Sequence, residues 1–379
     1  MKKLNFIFLI ILLLLLTSCM SQETEIKNRL VISGIGVDYN KDKNEYELIV
    51  QVLETSKNSS EPGKSEVPVT NYSVNGKTIA QAITSLGENT GKTPLYSQNR
   101  MIILGSSVTD ARMIKALNFF VREYTSRPDV FIAAAEGKAS DILTINAGGE
   151  VPAKLIESAI EQSYENSVCV NTELYDAVNL SLEKTSCFTL PLIETDEKRN
   201  KNEKTIKING TRVCLKTTQP KILSSEETMA FQFIMNEIQS GSMSLTSDKT
   251  PVGLEIISSK TKTELKIKDG RPVFDIQIKC EVDIVEYEKN QFSNFSEKDV
   301  KKIRKATELH IEEATNGLIE RMLKKENCDI FRFGKRIEQK YPDMYNILSS
   351  DWEKSLSGIE ANVTVKVRIG RIGQMTIEE

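Results

Sequence analysis

Six cysteines, a single histidine and several adjacent carboxylate pairs are the side chains in this sequence that could do chemistry. His310 lies in a helical pattern between Glu308 and Glu312. A Ser-His-Asp triad, a Cys-His pair or a histidine-rich metal site would each depend on it. It sits at the margin of an apolar stripe, with no partners spaced to converge on it. No G-x-S-x-G, H-E-x-x-H or Walker-type segment surrounds a nucleophile, metal ligand or phosphate cradle. Gly34-Ile35-Gly36 lacks the third glycine of a dinucleotide fingerprint and reads as strand glycine that admits close approach of other backbone. Glu226-Glu227, Glu312-Glu313 and Glu378-Glu379 are paired acids of the kind glycoside hydrolysis uses, but on helices and tails such pairs form solvated faces. Aromatic residues make up 6% of the chain, with one tryptophan, Trp352, too few for a sugar-binding platform. No enzymatic activity, cofactor or metal site is expected.

Cys19 differs from the rest in its setting. It follows Leu16, Thr17 and Ser18, at the end of an apolar run of eleven residues from Phe6, with Lys2 and Lys3 ahead of the run. A membrane-spanning helix needs about 20 apolar residues, so the run has the charge and length of a cleaved export signal instead. Leucine, two small residues and cysteine resemble the bacterial lipobox. That resemblance implies diacylglycerol on the Cys19 thiol, a signal peptide of residues 1–18 and a lipidated tether of residues 19–23. The other five cysteines, Cys169, Cys187, Cys214, Cys280 and Cys328, are odd in number and contain no C-x-x-C pair. They predict neither a disulfide framework nor a zinc site, and a Cys169–Cys187 bridge is not expected.

The formal net charge is −3, and loss of Lys2 and Lys3 would make it two units more negative. An acidic body does not suit nucleic acid or an anionic bilayer through long-range attraction. The acyl chains, rather than a basic patch, are expected to hold it to the membrane.

The elements that carry these residues read as α+β, or mixed α/β, with sheets covered by helices. Leu30–Asp38 and the alternating Tyr46, Leu48, Val50 and Val52 predict a hairpin. Helices around Ile79–Leu86 and Ile114–Tyr124 then alternate with strands at Arg100–Leu104 and Val130–Ala135, and helices at Pro152–Tyr164 and Thr172–Leu182 precede a strand, Cys187–Ile193. The charged stretch Thr195–Lys204 marks a boundary, giving an N-terminal domain of residues 24–195. A small middle domain, 205–250, carries a helix that Ser224 and Glu227 cap as a box. A C-terminal domain, 251–379, has long strands meeting at Asp269-Gly270. Ser296 then opens a helix with the stripe Val300, Ile303, Thr307, Ile311, Ala314, Leu318 and Met322, and Ala361–Ile369 closes the domain. The chain is thus expected to be a three-domain, lipid-anchored ectodomain.

Several segments in order resemble the Ger(x)C (GerC) lipoprotein family, the C subunit of nutrient germinant receptors of endospore-forming bacteria. These are Leu30–Asp38 with Tyr46–Gln51; Gly76-Lys77-Thr78 with Ala82-Ile83; Arg127-Pro128 with Ala135–Leu143; and Asp329–Gly334 with Lys340-Tyr341-Pro342, Trp352 and Val363–Ile369. Many members carry Trp-Asp after the lipid cysteine, where this chain has Met20-Ser21. The resemblance implies a palmitate-type lipid anchor on the outer face of the spore inner membrane, after export across the cytoplasmic membrane. It also implies integral membrane A and B receptor subunits as partners, a role in spore germination, and no direct small-molecule ligand or nucleic acid. A solute-binding lipoprotein of a transporter is the alternative. Gly137, inside the most recognisable block, is expected at a positive-φ or tightly packed position.

Overall fold

The computed structural model describes residues 28–54, 69–123, 127–200, 203–214, 221–287, 296–372 and 375–376. The apolar run after Asn28 forms β1 (Arg29–Asn40), buried along nearly its whole length because both faces of its sheet are covered. β2 (Glu45–Leu53) pairs antiparallel with it as the expected hairpin, and β3 (Val69–Gly76) extends the edge. On the other side β5 (Met101–Leu104), β6 (Phe131–Ala135) and β7 (Phe188–Asn200) run parallel. β8 (Glu203–Cys214) and β9 (Lys221–Leu223) then return antiparallel, and β4 (Thr93–Leu95) pairs with the start of β1.

One face of this sheet packs on α1 (Ile79–Thr90), α2 (Asp110–Arg122) and α5 (Leu174–Leu182), with Leu86, Phe120 and Ala177 in the core. The opposite face packs on α3 (Ala139–Leu143) and α4 (Pro152–Glu165), through Leu143, Ala153 and Ile156. Arg212 of β8 reaches Asp110 in the first turn of α2 at 2.8 Å, with both side chains buried.

The second sheet has the order β10 (Gly241–Ser247), β11 (Thr250–Lys268), β12 (Arg271–Tyr287), β13 (Glu360–Ile372) and β14 (Met375–Thr376). Asp269 and Gly270, at φ 50° and 75°, make the tight turn between β11 and β12. β13 lies parallel to β12, so the chain must cross over, and α7 (Glu297–Glu320) makes that crossover. Ser296 accepts from Asp299 N–H at 3.2 Å while the Asp299 carboxylate accepts from Ser296 N–H, completing a capping box. Ile303, Thr307, Ile311 and Leu318 of α7 face the core.

Residues 205–250 are shared between the sheets. β8 and β9 finish the first, whereas α6 (Ser225–Met235) and β10 pack with the second. Ser224 and Glu227 form the capping box expected for α6. Of the charged stretch Thr195–Lys204, residues 195–200 lie on β7 and residues 203–204 on β8, two strands that pair antiparallel.

Two expectations are corrected. Cys187 and Cys328 form a disulfide, with Cα atoms 6.4 Å apart and a separation of 141 positions in sequence. Their spacing gives no hint of it, because the pair exists only once distant segments dock. Cys169, Cys214 and Cys280 are buried free thiols, and burial pushes those of Cys169 and Cys280 up to about 12. Gly137 is exposed, with no neighbour near an added Cβ and no positive φ. The tight positions are Gly36, where a Cβ would meet Ile49 Cγ2 at 2.5 Å and the Ala139 backbone at 3.2 Å, and Gly105, where it would overlap the Asp38 carboxylate.

Gly36→Val should therefore destabilise the fold by about 1–3 kcal/mol through overpacking, whereas Gly137→Val should stay within about 0.5 kcal/mol of the parent. Urea denaturation of the two variants checks this, and matching midpoints would refute the packing argument.

Candidate functional site

Leu16, Thr17, Ser18 and Cys19 lie outside the described residues. Arg29 at the head of β1 lies ten positions after Cys19, a tether that spans at most roughly 35 Å when extended. Among the described residues no helix is long and apolar enough to cross a membrane.

His310 is exposed on α7, at a cavity of about 350 Å³ that Met229, Phe233, Met243 and Ile311 also line. Among the described residues it has no hydrogen-bond partner, and no three His, Cys, Asp or Glu side chains cluster as a metal site. Glu227 serves the α6 cap and an ion pair with Arg321 at 2.5 Å, so that acidic pair is structural. These residues are not brought together as a catalytic centre.

The segments that the resemblance rests on do converge, at two joints. At the first, the Asp38 carboxylate accepts from the N–H groups of Ala139 and Ser140, at 3.0 and 3.1 Å, and caps α3. Burial raises its pKa, against the pull of those two donors. Gln51 works beside it from β2. Its Oε1 accepts from Ser33 Oγ and Ala153 N–H, both at 3.1 Å, and its Nε2 donates to the Leu143 carbonyl at 3.1 Å. One amide thus fastens α3 and α4 to the sheet.

At the second joint, Asp329 is fully buried, and the N–H groups of Phe331, Phe333 and Gly334 donate to its carboxylate at 3.1, 3.0 and 2.7 Å. Desolvation outweighs the three donors and pushes its pKa up to about 6. The turn drives Phe331 and Phe333 inward, and Phe333 stacks on Phe274 of β12 with ring centroids 4.0 Å apart. The Asp329 carbonyl accepts from Cys187 N–H at 3.2 Å, beside the disulfide. A Cβ on Gly334 would strike Thr185 and would sit 2.9 Å from Trp352. Gly334 lies in the first turn of α8 (Phe333–Lys340), whose Lys340 donates to the Leu265 carbonyl at 2.8 Å. The joint therefore locks residues 183–187, which lead into the first sheet, onto the second. Its disulfide is the feature that sequence reasoning missed.

Two family models match the chain. The N-terminal domain of spore germination proteins covers residues 22–195, and the C-terminal domain described as spore germination B3/GerAC-like covers residues 194–373. The chain is similar to spore germination protein B3 of Bacillus subtilis (strain 168), 25% identical over 90% of each chain. It is also similar to spore germination protein KC of the same organism, 23% identical over 97% of this chain and 95% of the relative. The crystal structure of the GerBC protein shares the fold at a TM-score of 0.59 and 20% identity, covering 89% of this chain and 96% of that one.

The second joint makes a pH prediction. A carboxyl whose pKa is raised on folding binds its proton more tightly in the native state, so it adds stability as pH falls from about 6 toward 3.8. Asp329→Asn keeps the size but turns an amide donor toward one of the N–H groups, which costs about 1–3 kcal/mol. Its deficit relative to the parent should grow as pH drops from 7 to 4, by up to about 3 kcal/mol. A deficit independent of pH in denaturation curves would show that Asp329 is ionised throughout.

Proposed function

We propose a receptor role for this chain, which belongs to the Ger(x)C family of spore germination proteins. It acts as a non-enzymatic lipoprotein subunit of a nutrient germinant receptor. It is held by acylated Cys19 at the outer face of the spore inner membrane and assembles there with integral membrane A and B subunits. The observation that carries this reading is the match of both domain models, end to end from residue 22 to 373, directly after the lipobox. The names of the relatives, spore germination proteins B3, KC and A3, support it. None of the matches favours a transporter's solute-binding protein.

The mechanism that follows is tethering. Lipid on Cys19 confines the body to the membrane plane and raises its effective concentration for the integral subunits. Two sheets locked at Asp329 present fixed faces, and differential contacts through those faces stabilise the assembled or signalling state.

Deleting the chain, in spores that lack paralogous receptors, should abolish nutrient-triggered dipicolinic acid release and spare release by a receptor-independent trigger. Unchanged nutrient response would reject the receptor reading. Cys19→Ala should move the protein out of the membrane fraction and cut nutrient-triggered release by about tenfold or more. Full membrane retention of that variant would reject the anchor.

A further inference from the structure

We propose that the open face of the second sheet rests on anionic phospholipid headgroups through a row of three lysines, Lys260, Lys279 and Lys366. Lys260 of β11 is the direct register partner of Lys279 on β12, and Lys279 is that of Lys366 on β13. The three side chains therefore leave the same face in one line across three strands, over roughly 10 Å. Lys262, two residues along β11, adds a fourth ammonium group to that face. All four are exposed, and among the described residues none makes an ion pair. Elsewhere on the sheet two basic groups are matched: Lys266 lies 2.8 Å from Asp275, and Arg368 lies 3.5 Å from Glu281.

Like charges set directly opposite each other weaken a strand pair. The chain carries more acidic than basic residues, 53 against 50, yet among the described residues no carboxylate pairs with this row, and Glu281, which lines the same depression, pairs with Arg368 instead. An anion from outside the chain supplies the counter-charge. A shallow depression of about 510 Å³ lies along the row, and no aromatic side chain lines it. Protein interfaces concentrate aromatic residues and arginine and are poor in lysine, so the composition does not fit an acidic protein. Lysine is a hydrated point charge with freely turning donors, suited to mobile phosphates rather than to a fixed carboxylate fork. An open sheet face also matches a planar surface. This inference rests on the Cys19 anchor, which brings a bilayer within reach of the face.

The test uses the full acylated chain, reconstituted into vesicles of phosphatidylcholine alone or mixed with phosphatidylglycerol. A water-soluble amine-acylating reagent is added, and peptide mass spectrometry reads the modification rate at each lysine. Lys260, Lys279 and Lys366 should react roughly fivefold or more slowly in the anionic vesicles, with high salt restoring the rate. Lys41, exposed in the β1–β2 turn, should be unaffected. Equal rates at the row in both vesicle types would overturn the proposal. So would slowing that appears only when other membrane proteins are present, which would assign the face to an acidic protein. Failure of the chain to incorporate into either vesicle would count against Cys19 acylation alone, and the rate ratio would then be read on the chain coupled through Cys19 to a maleimide-bearing lipid in the same vesicles.

Discussion

The union of the two sheets depends on one buried carboxylate. Asp329 has lost its water, and its three backbone donors replace that hydration only in part, which is why its pKa rises although every donor favours the charge. The same three bonds fix the turn that sends Phe331 and Phe333 into the second core and sets Gly334 against Trp352. The Asp329 carbonyl holds Cys187 while the neighbouring Cys328 is bonded to it covalently. Without the carboxylate, two aromatic rings, a helix start and the seam between the sheets would each lose their fixed position.

Asp38 and Gln51 apply the same physics to the first sheet. Each is a polar side chain buried within a sheet that is covered on both faces, and each is tolerated because backbone groups of α3 and α4 complete its hydrogen bonds. Gly36 and Gly105 provide the space for that approach. Such joints fasten the helices to the sheet through buried hydrogen bonds. That suits a protein that works by presenting surfaces more than one that must close around a solute.

Features set by neighbours in sequence were legible. The Ser224–Glu227 and Ser296 caps, the Asp269-Gly270 turn and the β1–β2 hairpin each involve residues a few positions apart or a plain period of two. Features made by docking were not. Cys187 and Cys328 are joined across 141 residues, and Gly137 looked special only because it sits in a recognisable block. Of its tight counterparts, Gly36 lies in the Gly34-Ile35-Gly36 segment read as admitting close backbone approach, whereas Gly105 depends on a contact with Asp38 that the local sequence does not encode. The charged stretch Thr195–Lys204 resembled a linker because it holds no apolar residue, yet its described residues continue the paired strands β7 and β8. The Asp329 block carries part of the family resemblance, but its chemistry is carried by the segment's own N–H groups, which no composition displays.

Charge shows the same divide most sharply. A net charge of −3 argues against attraction to an anionic bilayer, and for a body tumbling freely that argument is sound, since the far field sums every residue. Once a tether holds the body within a Debye length of the surface, the sum stops mattering, because screening removes all but the nearest charges. What counts then is which residues share a face, and strand register decides that. Lys260, Lys279 and Lys366 are scattered through the sequence, and only the pairing of β11 with β12 and of β12 with β13 sets them side by side. A tethered acidic protein can therefore carry a cationic contact face, and the tether is what makes so small a patch of lysines sufficient to orient it.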